Sequence, residues 1–373
     1  MSDTQKNKKL NVPNLRFPGF EGDWKQYTMG ELTELFSRRN KKRINFPMFS
    51  VTNSRGFVNQ QEQFENREMK GEDIAAYKII SPGEYAYNPA RINVGSIARY
   101  DGDSDCMISS LYVCFKAKKE LVDSQLLLHI LKSPKMVYNY GINGEGGVRI
   151  YLFYPNFARI RVKLPGLDEQ KKIASFLDVL EKRIEIQNRI IERYESLIKA
   201  LAFKVIGSKE PHTRLYDCVV CTSSTLKESE LIDDGIPSYG ASGISGYSAE
   251  ALCESDSILI TKDGSGVGTK RYVHGAHSFV GTLCSLTPKK GIYLPYIYYA
   301  LINMNFDAYK TGQAIPHVYF KDYGKALLFC PSHSEQIKLA QGLEYLDRKV
   351  SYERETLLYL CQLKTFLLSQ LFI

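Results

Sequence analysis

Residues 164–207 read LPGLDEQKKIASFLDVLEKRIEIQNRIIERYESLIKALAFKVIG, and no other stretch restricts the fold as tightly. Apolar side chains recur at Ile173, Leu177, Leu180, Ile184, Ile191, Tyr194, Ile198, Leu201 and Val205, with Gln187 filling the remaining place. Steps that alternate four and three residues describe the seam of a coiled coil. No proline or glycine interrupts the run. Asp168, just after Pro165, reads as the N-cap, and Gly207, with Pro211 beyond it, reads as the stop. At 1.5 Å per residue such a helix is about 55–60 Å long. A single compact domain has little use for an internal rod of that length.

The same plan returns at the end of the chain. Under one constant offset Pro165, Glu169, Gln170, Lys172, Ala174, Leu177, Leu180, Leu197 and Leu201 fall on Pro331, Glu335, Gln336, Lys338, Ala340, Leu343, Leu346, Leu363 and Leu367. Asp168 falls on Ser334, and the polar Gln187 falls on Glu353. Any two amphipathic helices share an apolar pattern. Shared caps, a shared lead-in and a shared polar seam position indicate an internal duplication. Fainter echoes precede the helices: YAYNPARINVGSIARY from Tyr85 aligns with ILITKDGSGVGTKRYV from Ile258. Short β-rich runs (GEYAY, LYVCFKAK, SILITK) alternate with turns and short helices such as DSQLLLHILKS. The expected fold is therefore mixed α/β (α+β). Two globular domains are joined by two long antiparallel helices that form a coiled coil, with an internal pseudo-twofold repeat. An apolar seam left facing water would be an aggregation hazard, which makes the pairing of the helices close to obligatory.

At 373 residues the chain has room for two or three domains with cores of their own. No apolar run is long enough to span a membrane. The polar start MSDTQKNKKLNVPN lacks the apolar core of a secretory signal, so residues 1–14 read as a disordered tail and the protein as cytoplasmic. The net charge of +8 agrees with a polyanionic partner without requiring one.

Catalytic constellations are scarce. The glycine-rich DGSGVGTK (Asp263–Lys270) fails both the P-loop and the G-x-G-x-x-G spacing, and reads as a tight turn. YNPAR (Tyr87–Arg91) has only part of the Asn-Pro-Pro-aromatic motif of amino-methylating enzymes. DGDSD (Asp101–Asp105) reads as a solvated hairpin turn, the rest of an EF-hand loop being absent. Cys218-x-x-Cys221 and His274-x-x-His277 have the spacing of half zinc sites, but Cys218–Cys221 reads better as a buried strand of reduced thiols. No catalytic residue, metal ligand or cofactor site is assigned.

Chemistry for holding nucleic acid is easier to find. SRRNKKR packs Arg38, Arg39, Lys41, Lys42 and Arg43 into a short loop able to neutralise phosphates, although most charge runs are simply solvated. NPARINVGSIAR offers Asn88, Arg91, Asn93, Ser96 and Arg99 between strands, and Arg and Asn read guanine and adenine bidentately. The aligned loop of the second half carries Lys262, Ser265, Thr269, Lys270 and Arg271. A further pair of loops ahead of the helices contributes Arg149, Gln313 and His317.

With these residues in place the chain resembles the specificity (S) subunits of type I restriction–modification systems over essentially its whole length. The resemblance rests on LRFPGFEGDWKQYTMGEL (Leu15–Leu32), on the L-P-x-x-x-E-Q-x-x-I-A lead-in to the central helix, on its copy from Cys330, and on YNPARINVGSIAR. The copy departs from the pattern, with CPSHSEQIKLAQGL replacing the Leu-Pro start. The resemblance implies a target-recognition domain at 15–163, a central conserved helix at 164–207, a second recognition domain at 208–329 and a distal conserved helix at 330–373. Each domain would read one half of a split site in double-stranded DNA, with the helices setting the gap. Two methyltransferase (M) subunits would bring S-adenosylmethionine for adenine-N6 methylation. Restriction (R) subunits would add ATP- and Mg2+-dependent translocation and cleavage. This chain would itself be no enzyme. The competing expectation is an enzyme in its own right, a degenerate DNA methyltransferase or nuclease built around Asn88 or the Asp101 cluster.

Overall fold

The computed structural model describes residues 12–60, 73–147, 150–264, 266–312 and 315–372. The chain divides into two compact units, one of residues 1–186 with 357–373 and one of residues 187–356. Both combine β-rich layers with helices, the mixed α/β architecture expected from the sequence. Each unit holds part of both long helices, Leu167–Ala202 and His333–Leu371.

In the first unit a four-stranded antiparallel sheet runs in the order Thr33–Phe36, Val113–Ala117, Tyr85–Tyr87, Ile97–Arg99. Two smaller ladders, Phe49–Thr52 with Gly56–Asn59 and Lys78–Ile80 with Cys106–Ile108, complete its β content together with Lys25–Thr28 against Arg161–Leu164. The core is aromatic. Tyr85 stacks on Phe115 at 5.0 Å, and Tyr87 and Phe157 pack beside them. The helix Ser124–Leu131 lies on this core because its LLLHIL run is apolar on nearly every face and buried throughout. Asp123 starts it, accepting the backbone N–H groups of Gln125 and Leu126. Ile173, Ala174, Leu177 and Leu180 of the first long helix join the same cluster, as do Leu367, Leu368 and Leu371 of the second.

The second unit has a four-stranded antiparallel sheet in the order Val219–Ser223, Leu283–Pro288, Ser257–Thr261, Lys270–Val273. Strand for strand this is the chain order of the first unit's sheet. A three-stranded sheet places Ile236–Gly240 between Gly243–Ser248 and Ser278–Phe279. The helix Leu294–Ile302 takes the place that Ser124–Leu131 has in the first unit.

Local readings differ from expectation in three places. The first long helix begins at Leu167, so Asp168 sits in its first turn, where a carboxylate still opposes the positive end of the helix dipole. Cys218 closes the short helix Leu215–Cys218. Only Val219 onward is strand, with Val220 turned outward because strand faces alternate. Asp101–Asp105 does not close a hairpin, since the strands on either side pair with different partners, Ile97–Arg99 with Tyr85–Tyr87 and Cys106–Ile108 with Lys78–Ile80.

Candidate nucleic-acid interface

The residues singled out from the sequence fall into three kinds of environment. Some face solvent. Arg39, Lys41 and Lys42 are exposed and make no ion pair to another described residue. Buried Asn40 fixes the loop that carries them: its amide donates to the Ile44 carbonyl at 2.7 Å and its Oδ1 accepts the Ile44 N–H at 3.0 Å. Arg91 is exposed and Asn93 half-buried, on a turn closed by Gly95 at φ +99°, a left-handed conformation that suits glycine.

Others are spoken for. Arg38 donates to Glu84 at 2.7 Å, Arg43 to Asp73 at 3.1 Å and Arg99 to Asp101 at 2.5 Å. Asn88 builds its own turn, its Oδ1 accepting the Ala90 N–H. Ser96 is buried and donates to the Val51 carbonyl. The Lys270 ammonium donates to the Ile302 and Met304 carbonyls at the end of the helix Leu294–Ile302 and lies 4.9 Å from the Phe306 ring centre. A cation suits that negative helix end. Burial, helped by the charge of Lys199, pulls Lys270 down to about 8. Arg271 lies over the Tyr239 ring at 5.7 Å. The third kind comprises Arg149, Ser265 and Gln313, which lie outside the described residues.

The same loop arrangement occurs in each unit. In the first, the Leu152 N–H donates to the Pro89 carbonyl at 2.9 Å, tying the chain after residue 145 to the Arg91 turn. Glu145 and Tyr151 exchange two backbone hydrogen bonds of 2.8 Å each. In the second, the Val318 N–H donates to the Lys262 carbonyl at 2.9 Å, and Thr311 and His317 exchange bonds of 2.9 and 2.8 Å. His317 Nδ1 also lies 2.6 Å from Asp263 Oδ1. Half-buried Lys262 and His317, far apart in sequence, are thereby brought together, with exposed Thr269 on the adjoining turn, where its carbonyl accepts the Thr261 N–H.

A second repeated device anchors each domain to a long helix, and sequence reasoning missed its purpose. Gln170 Oε1 accepts the Asp123 N–H at 2.8 Å, and its Nε2 donates to the carbonyls of Leu121 (3.1 Å) and Pro165 (2.9 Å). Gln336 repeats this with the Tyr293 N–H at 2.8 Å and the Pro331 carbonyl at 2.9 Å. The Glu-Gln pair was visible as a repeat, but its partners are backbone groups that leave no mark on the sequence. Arg16 adds a bidentate bond to Glu169 at 2.8 Å in the first unit.

Among the described residues one group gathers metal-ligand side chains: His129, Asp178 and Glu181. Protein donors already meet both carboxylates. Asp178 accepts from Gln125 at 2.5 Å and lies 2.8 Å from His129 Nε2, while the Lys364 ammonium lies 2.6 Å from Glu181. Burial raises the Glu181 carboxyl, but Lys364, with His129 and Lys132, brings it below its ordinary value. The cluster acts as a polar clamp between the helix Ser124–Leu131 and the long helices. Tyr299 plays the matching part in the second unit, its hydroxyl donating to Asp347 at 2.6 Å. The C-x-x-C and H-x-x-H residues do not converge: the Cys218 thiol lies 3.8 Å from Cys330, and His277 bonds Ser257.

Known proteins resemble this chain in sequence and in fold. Residues 21–196 match the type I restriction modification DNA specificity domain. A putative type I specificity subunit of Mycoplasma genitalium is 28% identical over 55% of this chain and 59% of its own length. The specificity subunit of a putative type I restriction enzyme from Methanocaldococcus jannaschii is 23% identical over 49% of this chain and 45% of its own. The alignments thus span about half the length of these curated relatives. The crystal structure of a type I restriction-modification S subunit from M. genitalium shares the fold with a TM-score of 0.62 at 18% identity, covering 97% of this chain and 99% of that one. A chain from a structure of a type I restriction–modification assembly gives 0.54 at 16%, covering 95% and 97%. Residues 21–196 in sequence, and nearly the whole chain in fold, are thus similar to type I restriction–modification specificity subunits.

Proposed function

We propose that this chain is the non-catalytic, DNA-reading subunit of a type I restriction–modification complex. Residues 15–163 and 208–329 each read one half of a split site in double-stranded DNA. The helices of 164–207 and 330–373 pair antiparallel as a coiled coil and set the gap between the halves, giving the chain a pseudo-twofold repeat. The observation that carries the reading is the duplicated loop arrangement, in which Leu152 bonds Pro89 in one unit and Val318 bonds Lys262 in the other. It offers two readers of one design with different side chains: Arg91 and Asn93 in the first, Lys262, Thr269 and His317 in the second. The exposed Arg39, Lys41 and Lys42 supply phosphate contacts.

Antiparallel pairing is supported inside each unit. In the first, the start of one long helix shares a core with the end of the other. In the second, the later part of the first helix meets the middle of the second through Gln187 with Glu353 and Glu195 with Arg354. Val179, Tyr352, Tyr359 and Phe366 are exposed on these helices and suit docking of the two methyltransferase subunits. Those partners supply S-adenosylmethionine for adenine-N6 methylation, and restriction subunits supply ATP- and Mg2+-dependent cleavage in the cytoplasm. No helix among the described residues is long and apolar enough to cross a membrane.

The test is exchange of residues 15–163 for those of a relative, followed by mapping of methylated adenines. One half-site should change and the other stay. A simultaneous change in both overturns the two-reader assignment. Replacing Lys41 and Lys42 with alanine should weaken binding to every sequence and flatten the salt dependence by about two units of slope.

A further inference from the structure

Beside each reading loop the structure holds a pair of stacked rings, both exposed in the first unit, and in the second an exposed Tyr319 on a half-buried His317 that is held by Asp263. In the first unit Tyr151 and Phe153 lie 6.2 Å apart with planes at 15°, and they are 37% and 49% exposed. In the second unit His317 and Tyr319 lie 6.2 Å apart with planes at 14°, and Tyr319 is 45% exposed. Between the rings of each pair sits a fully buried aliphatic residue, Leu152 or Val318. The backbone N–H of that same residue donates to the reading loop, at Pro89 or Lys262. Extended chain turns alternate side chains to opposite sides, so a buried centre pinned to the loop drives both flanking rings outward on one face. Neither ring pair reaches solvent through loose packing. Each is fixed at its root.

We propose that these pairs are apolar base-contacting elements, one per reader, which cover the C5-methyl edge of a thymine in the corresponding half-site. The inference rests on the DNA-reading function proposed above and adds specificity-determining residues to it. Three observations favour DNA bases as the occupant. Each pair is joined by a backbone hydrogen bond to the loop that carries the polar readers. Each is of ring type, and apolar ring contact with the thymine methyl is an established form of base readout. The device also occurs in both units at matching places, as two half-sites demand. Lys321, 5.3 Å from the Tyr319 ring centre, adds a cation beside the second pair.

The experiment uses the full chain assembled with its methyltransferase partner, on duplexes carrying the site found by methylation mapping. Phe153→Ala should weaken binding to the cognate duplex about tenfold, and Tyr319→Ala likewise, while binding to unrelated DNA at the same salt stays within twofold. Phe153→Tyr should retain near-normal affinity. Replacing the contacted thymine by deoxyuridine should cost the wild-type complex about fourfold, the value of one methyl. The same replacement should cost the Phe153→Ala complex nothing when it lies in the first half-site. Tyr319→Ala should cancel it only in the second. Unchanged cognate affinity in both alanine variants overturns the proposal, and so does a uracil penalty that survives the ring deletions. If the wild-type complex shows no preferred duplex, the DNA-reading function itself fails, a separate result.

Discussion

Replacing Gln170 by leucine removes three hydrogen bonds at almost constant volume, at a side chain 1% exposed. Each bond contributes about 1 kcal/mol net, and buried groups left without partners cost more. Loss of the Asp123 N–H acceptor also loosens the start of the helix Ser124–Leu131. The expected destabilisation of the first unit is about 2–4 kcal/mol. Gln336→Leu provides the internal comparison, because Gln336 makes two such backbone bonds and only a long contact of 3.6 Å to the Cys330 thiol. Its cost should be smaller by about 1 kcal/mol. Urea unfolding of the complete chain gives the stabilities, and hydrogen exchange of residues 121–131 and 291–302 localises them. Gln170→Leu should accelerate exchange in the first segment only, and Gln336→Leu in the second only. A Gln170→Leu chain with wild-type stability and a still-protected Asp123 N–H would refute the reasoning.

Two further perturbations follow from buried polar groups. Gln187 is fully buried, its Oε1 has no partner among the described residues, and its amide bonds Glu353, so exchanging both for leucine should raise the urea midpoint by the equivalent of about 1 kcal/mol. The same exchange should relax the register of the helices, seen as heterogeneous cross-linking. Lys270 sits at about 8 when folded and near its ordinary 10.5 when unfolded, so between those values the unfolded chain holds more protons and stability rises with pH. Urea midpoints from pH 7.5 to 9.5 should therefore climb in the wild type, relative to a flatter Lys270→Met profile; parallel profiles would contradict the assignment.

The long helices were legible because a four-three alternation is a property of the sequence itself, and only the first turn was misplaced. The strand-rich character of the domains was legible too, from GEYAY, LYVCFKAK and SILITK. The candidate site was read less completely, for a physical reason. Arg91 and Lys41 look like contacts in the sequence and do face solvent. Arg99, Ser96 and Lys270 have the same chemistry, yet bond to Asp101, to the Val51 carbonyl and to a helix end. A side chain's partner is chosen by tertiary proximity, and when that partner is a carbonyl the sequence is silent about it. Of the ring pairs only His317 was singled out from the sequence, because aromatic residues spaced two apart, such as Tyr151 and Phe153, read as strand core. Only burial of the residue between them shows that both rings point outward.

The hydrogen bonds that hang each reading loop, Leu152 to Pro89 and Val318 to Lys262, run from main chain to main chain. Every residue but proline offers the same N–H, and every residue offers the same carbonyl. Substitutions at exposed loop positions such as Arg91 therefore alter what is displayed without touching these bonds, whereas Asn88, Gly95 and Ser96 also hold the loop in shape. On the DNA-reading function proposed above, a lineage can exchange one recognised sequence for another by point mutation at such exposed positions at little cost in stability. On that reading the architecture is evolvable: drift at the exposed loop positions generates new targets, and the cost of folding does not select against it.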